Sequence, residues 1–150
     1  MEKEKNSRGL IIFVAILIVV AVGLYFALTA VNKNMSPQNV TSLQITVLKE
    51  GNGREAKAGD IVSVNYTGML SNGTKFDSNV DPQFKHVSPF EFALGAQQVI
   101  AGWDQGIIGM KVGEKRRLVI PAELAYGSNA IGQIPANSTL IFEVELIEIK

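Results

Sequence analysis

The chain has 150 residues, 47% of them apolar, and its 14 basic residues balance 14 acidic ones. That length suits one domain with little to spare, and the balance excludes a disordered chain or a polyelectrolyte built to bind nucleic acid. The lack of cysteine removes disulfides, thiolate nucleophiles and Cys-ligated zinc, and the single histidine, His86, leaves little room for a histidine metal cluster or a Ser-His-Asp triad with a second proton shuttle.

Residues 1–9 form a short polar start containing Lys3, Lys5 and Arg8. No charge follows until Lys33, and residues 10–31 are rich in Leu, Ile, Val, Ala and Phe. A helix needs about 20 apolar residues to cross a hydrocarbon core of ~30 Å, so this stretch reads as a transmembrane anchor. Tyr25 near its far end suits the membrane interface, and the basic residues before it favour a cytoplasmic N-terminus with the C-terminal domain extracytoplasmic. A cleaved signal peptide is the competing reading. An uncleaved anchor is preferred because the apolar stretch is long and no clean small-x-small site follows it. A buried core helix would show a polar stripe, which is missing here.

Residues 32–42 turn polar and read as a linker. The remaining residues, 43–150, are near neutral and long enough for one core. Residues 43–48 and 61–69 are β-branched and aromatic, with Gly51-Asn52-Gly53 and Gly59-Asp60 as turns between them. Val62, Val64 and Tyr66 alternate with Ser63, Asn65 and Thr67, the period of a half-buried strand, and Ser71-Asn72-Gly73-Thr74 reads as a hairpin turn. The same alternation recurs at Phe90, Phe92 and Leu94, at Leu118 and Ile120, and at Leu140, Phe142, Val144 and Leu146. One short helix is predicted over residues 97–107, where Val99, Ile100, Trp103 and Ile107 share a side. Lys115-Arg116-Arg117 is expected on a solvated face. The outcome is an antiparallel α+β fold whose sheet is covered by that helix, with an apolar gap where the layers fail to close.

Several ordered stretches carry a closer identification: Val64-Asn65-Tyr66-Thr67-Gly68-Met69-Leu70, Gly73-Thr74-Lys75-Phe76-Asp77-Ser78, Phe90-Glu91-Phe92-Ala93-Leu94-Gly95, Gln98-Val99-Ile100-Ala101-Gly102-Trp103, Ala125-Tyr126-Gly127 and Gly132-Gln133-Ile134-Pro135. Their joint order resembles the FKBP-type peptidyl-prolyl cis-trans isomerases over nearly all of residues 43–150. The resemblance implies a five- or six-stranded antiparallel sheet wrapped around one short helix. It implies a proline pocket with Tyr66, Asp77 and Tyr126 as catalytic residues and Phe76, Val99, Ile100, Trp103, Ile134 and Phe142 binding substrate. In that pattern the Ile100 N–H and the Tyr126 hydroxyl hold carbonyls, Trp103 forms the floor, Asp77 stands at the rim and Ile134 lines an overhanging loop. Proline-containing unfolded or maturing polypeptides and immunosuppressive macrolides are the implied partners, with neither metal nor cofactor.

The sequence departs from that pattern in places. Residues 79–89 contain no arginine to pair with Asp77, leaving Lys85 or His86 as substitutes, although His86 by itself reads most simply as a solvent-exposed loop residue. Gln98 stands where glutamate is common, and the stretch 128–133 is short with Gln133 at an often apolar position. By composition alone Tyr66, Val99, Trp103 and Phe142 would be core residues, and Asp77 a turn residue. The functional reading is a membrane-tethered prolyl isomerase. Its alternative is a non-catalytic module that holds proline segments through the same pocket.

Overall fold

The computed structural model describes residues 40–150. The anchor expected at residues 10–31 and most of the linker lie outside the described residues, and among the described residues no helix is long and apolar enough to cross a membrane.

Six strands form one antiparallel sheet: β1 (Gln44–Lys49), β2 (Ile61–Leu70), β3 (Lys75–Ser78), β4 (Phe90–Ala93), β5 (Lys115–Ile120) and β6 (Leu140–Ile149). The order is β1-β5-β6-β2-β3, and β4 shares the outer edge of β2 with β3. β4 pairs with the first half of β2, Ile61 to Val64, and β3 with Thr67 to Met69. The longest ladder joins β2 to β6, from Val62 opposite Ile149 to Leu70 opposite Leu140. Period-2 alternation sends Leu140, Phe142, Val144 and Leu146 of β6, with Leu118 and Ile120 of β5, into the core at 5% exposure or less.

One α-helix, α1 (Ala101–Ile107), covers that face. It is shorter than the spacing of residues 97–107 predicts. Gly95 and Gln97 take φ of 78° and 58°, which a right-handed helix cannot contain. Asp104, in the first turn, accepts the Gly95 N–H at 2.8 Å and the Gln97 N–H at 3.1 Å, folding those residues back against the helix start. A carboxylate there also opposes the positive end of the helix.

Gly102 and Gly106 let α1 lie close on β5. A Cβ on Gly102 would come 2.4 Å from Ile120 Cγ2, and one on Gly106 would come 2.8 Å from Leu118 Cδ1. The far end of α1 is tied down by Arg116, which corrects the expectation of a solvated basic cluster. Strand alternation turns Lys115 and Arg117 outward to Glu143, at 2.8 and 2.7 Å. It turns Arg116 inward, where its guanidinium donates to buried Glu114 and to the carbonyls of Gly106 (3.0 Å), Ile108 (3.2 Å) and Gly109 (3.0 Å). Those carbonyls have no further helical turn to bond to, so the planar five-donor fork closes the helix end.

Substituting Gly102→Ala should destabilise the domain. Alanine gains up to about 1 kcal/mol of helix propensity over glycine, but crowding a close-packed site costs about 1–3 kcal/mol, and Ile120 is a buried β-branched residue whose Cγ2 cannot swing away. Urea unfolding of Gly102→Ala beside the parent chain checks this, a lower midpoint at unchanged slope being the expected result.

Candidate functional site

The concave side of the sheet holds five aromatic rings around Trp103 of α1. Tyr66 on β2 and Phe142 on β6 each meet it edge to face at 5.2 Å between centroids, with interplanar angles of 76° and 84°. Phe76 on β3 stands edge-on to Phe142 at 5.6 Å, and Phe90 on β4 lies 6.2 Å from Trp103. Phe92, next but one on β4, supports Trp103 from the core at 5.8 Å. Edge-to-face pairs match the positive rim of one ring to the negative face of the next and lock rotamers, so the rings stand as walls instead of collapsing on one another. Gly68 makes the room, because a Cβ there would lie 2.7 Å from both Phe76 and Phe142.

The walls enclose a crevice of about 300 Å³ lined by Tyr66, Phe76, Asp77, Phe90, Gln98, Val99, Ile100, Trp103, Tyr126 and Phe142. A larger groove of about 450 Å³ borders α1 at Gln97, Asp104, Gln105 and Ile108, but no aromatic side chain walls it. Chemistry, not size, identifies the site.

Its polar groups divide into those already bonded and those left open. The Tyr66 hydroxyl donates to Asp77 Oδ2 at 2.7 Å. Asp77 Oδ1 accepts the Ser78 N–H at 2.9 Å and faces His86 Nε2 at 2.9 Å. Burial, and then the hydrogen bond to the Asp77 carboxylate and its charge, push the Tyr66 phenol well above its ordinary range, so it remains a protonated donor. By contrast, the Tyr126 hydroxyl and the Ile100 N–H have no hydrogen-bond partner among the described residues. Ile100 is the N-cap of α1. Its carbonyl serves Trp103 N–H at 2.9 Å while its own N–H lies in the turn ahead of the helix, where no backbone acceptor follows. Tyr126 sits just past the 3-10 turn Ala122–Leu124, on a segment held by Gly127 N–H to Ala122 O and by Asn137 N–H to Gly127 O, both 2.8 Å.

Of the residues expected at the site, Tyr66, Phe76, Asp77, Val99, Ile100, Trp103, Tyr126 and Phe142 come together in this one crevice. Ile134 does not line it. Ile131 and Ile134 exchange backbone hydrogen bonds of 2.9 and 2.8 Å across a tight turn, which buries Ile134 in the core at 6% exposure and leaves Ile131 outward at 48%. Phe90 and Gln98 line the crevice without having been singled out for it. Phe90 was legible as a strand residue, yet its 42% exposure follows from its place at the mouth. Asn79, buried at 3%, supports the site through side-chain contacts that no spacing in the sequence announces, and of the two residues expected in place of an arginine it is His86 that lies against Asp77.

A family model described as FKBP-type peptidyl-prolyl cis-trans isomerase matches residues 52–147. FK506-binding protein 1A of Neurospora crassa is 52% identical over 118 residues, covering 77% of this chain and 95% of that protein. The FK506-binding protein of Neisseria meningitidis serogroup A is 52% identical over 109 residues, covering 72% and 96%. FK506-binding protein 4 of Gibberella zeae is 58% identical over 100 residues, covering 67% of this chain but 19% of that protein. Among solved structures, FkpA from Escherichia coli superposes with a TM-score of 0.64 at 43% identity over 73% of this chain and 49% of that one. AtFKBP13 gives 0.65 at 38% identity over 72% and 93%.

The bond between Tyr66 and Asp77 has an optical consequence. In a spectrophotometric titration to alkaline pH, one phenol should ionise late. Tyr66→Phe should remove that late step, and Asp77→Asn should move it to lower pH by withdrawing the carboxylate charge; a late step that persists in Tyr66→Phe would contradict the assignment.

Proposed function

The chain belongs to the FKBP-type peptidyl-prolyl cis-trans isomerases, and from that membership we propose that the crevice over Trp103 is where rotation about X-Pro bonds in unfolded or maturing polypeptides is accelerated. The observation that carries this reading is an aromatic-walled space of about 300 Å³ with two uncommitted donors at its edge.

The barrier to rotation, ~18–20 kcal/mol, is amide resonance, which is lost as the bond twists. A site lowers it by binding the twisted form better than the planar one, without any covalent step. Phe76, Val99, Trp103 and Phe142 receive the proline ring and strip water from the amide, whose planar, charge-separated form water favours. The Ile100 N–H and the Tyr126 hydroxyl hold carbonyls on either side of the scissile-free bond, leaving that bond alone to turn. Asp77, fixed by Tyr66 and Ser78, supplies a negative edge beside it. Tyr66 works by holding Asp77, because its proton is both engaged and hard to remove. The same space suits FK506-type macrolides, as the names of the Neurospora and Neisseria relatives suggest.

Residues 10–31 tether this domain to a membrane in the same reading, with residues 43–150 on the extracytoplasmic side. Support comes from the uncharged stretch and from the three basic residues ahead of it. Tethering keeps the crevice at high local concentration near chains emerging from that membrane.

A proline-peptide isomerisation assay tests the site. Tyr126→Phe should lower kcat/KM roughly two- to tenfold, the size of one neutral hydrogen bond, and Asp77→Ala should lower it about tenfold by also orphaning the Tyr66 hydroxyl. Undiminished rates in both variants would reject the assignment, and binding of proline peptides without acceleration would favour the non-catalytic module. For the tether, protease added outside intact cells should digest the C-terminal domain, and the mass of the purified chain should include residues 1–31. Full protection, or loss of that mass, would reject the orientation or the uncleaved anchor respectively.

A further inference from the structure

The crevice over Trp103 does not stop at Val99. That side chain lines the crevice and also the groove of about 450 Å³ that runs beside α1. The groove lining passes from Gln97 and Val99, ahead of α1, through Ala101, Asp104 and Gln105 to Ile108, just past the helix end. The helix has seven residues, a length of about 10 Å, which an extended chain covers in about three residues. Ile100, whose N–H is one of the two open donors at the crevice, stands between Val99 and the first residue of α1. A peptide whose carbonyl is held there leaves the crevice alongside the groove.

The chemistry of the groove is one-sided. Asp104 is its one charged lining residue, and among the described residues no Lys, Arg or His pairs with it. Each of its carboxylate oxygens accepts a single N–H, from Gly95 at 2.8 Å and from Gln97 at 3.1 Å, which leaves about half of its acceptor sites open. Arg116 reaches the Ile108 carbonyl at the far end, but it is paired with buried Glu114. Val99 and Ile108 add apolar surface on either side, Ile108 at 43% exposure. We propose that this groove is a second substrate subsite, which takes a Lys or Arg about two or three residues from the proline, with the aliphatic stem along Val99 and Ala101 and the cationic head at Asp104. The proposal rests on the functional reading above and gives it a sequence preference. A contact this far from the rotating bond holds the planar and twisted forms alike, so it lowers KM and leaves kcat unchanged. The pair is open to solvent and screened, so its effect is a few-fold.

The test measures kcat and KM of the full-length chain for proline peptides that carry Lys, norleucine or Glu about three residues before or after the proline, at low and high salt, beside an uncharged proline tetrapeptide. Norleucine keeps the aliphatic stem without the charge. On one flank the parent's KM should be about two- to fivefold lower with Lys than with norleucine and higher with Glu, the spread shrinking at high salt. Gln105 is exposed on the groove wall, so its charge can be changed without entering the core. Gln105→Lys should abolish or reverse that order and Gln105→Glu should widen it, with thermal midpoints close to the parent's. A KM indifferent to the added charge on both flanks, or an order unchanged in Gln105→Lys, overturns the subsite, and acceleration of the tetrapeptide in the same assay leaves the functional reading intact. A parent that does not accelerate the tetrapeptide overturns both.

Discussion

The close approach of α1 to β5 is the constraint from which the site follows. Two glycines one turn apart bring the helix backbone down to the side chains of Leu118 and Ile120, and that depth sets how far Trp103 sits beneath the rims of β2 and β6. A thicker contact would lift the indole into the space the crevice occupies. Arg116 works on the same problem from the other end, taking three carbonyls at the helix C-terminus into one guanidinium that is itself neutralised by buried Glu114. Removing either partner alone would strand a buried charge, which makes this pair a joint requirement of the fold.

The crevice then sorts its polar groups by whether they are already bonded. Tyr66, Asp77, Ser78 and Asn79 are bonded to one another or to the β2 backbone, so they contribute shape and a fixed field. Ile100 and Tyr126 keep open donors, and these come from segments outside the sheet: the turn before α1 and the residue after a 3-10 turn. Trp103 is a different case. Its Nε1 is buried without a hydrogen-bond partner among the described residues, a desolvation cost at the floor itself, and the ring is held there by packing alone.

Much of the fold was legible before the structure because β5 and β6 bury one face and solvate the other, and period 2 prints that directly on Leu118, Ile120, Leu140, Phe142, Val144 and Leu146. Period 3.6 misled at the helix start. Val99 and Ile100 do face the crevice with Trp103, but they reach it from a turn set by left-handed Gln97 and by the Asp104 carboxylate, and periodicity cannot see a side chain bonding back along the chain. The basic triplet was misread for the opposite reason: three adjacent charges suggest a solvated face, while strand alternation places the middle one inside. Most of the crevice walls were legible from ordered family motifs, but Phe90 and Gln98 were not singled out, and Ile134, which the motifs pointed to, is turned into the core by a tight turn that decides which of two isoleucines points inward. His86 and Asn79 stand on a loop whose path depends on one capped 3-10 turn, Pro82–Phe84, and no local pattern encodes where such a loop ends.

Trp103 is also the only tryptophan in the chain. The indole emission of this molecule therefore originates at a single point, the base of the crevice, where the ring is shielded from solvent at 5% exposure and touches three other aromatic rings that line the same space. Any guest that displaces solvent above it changes the polarity around one fluorophore without competition from others, so the domain reports its own occupancy by light, with no label attached.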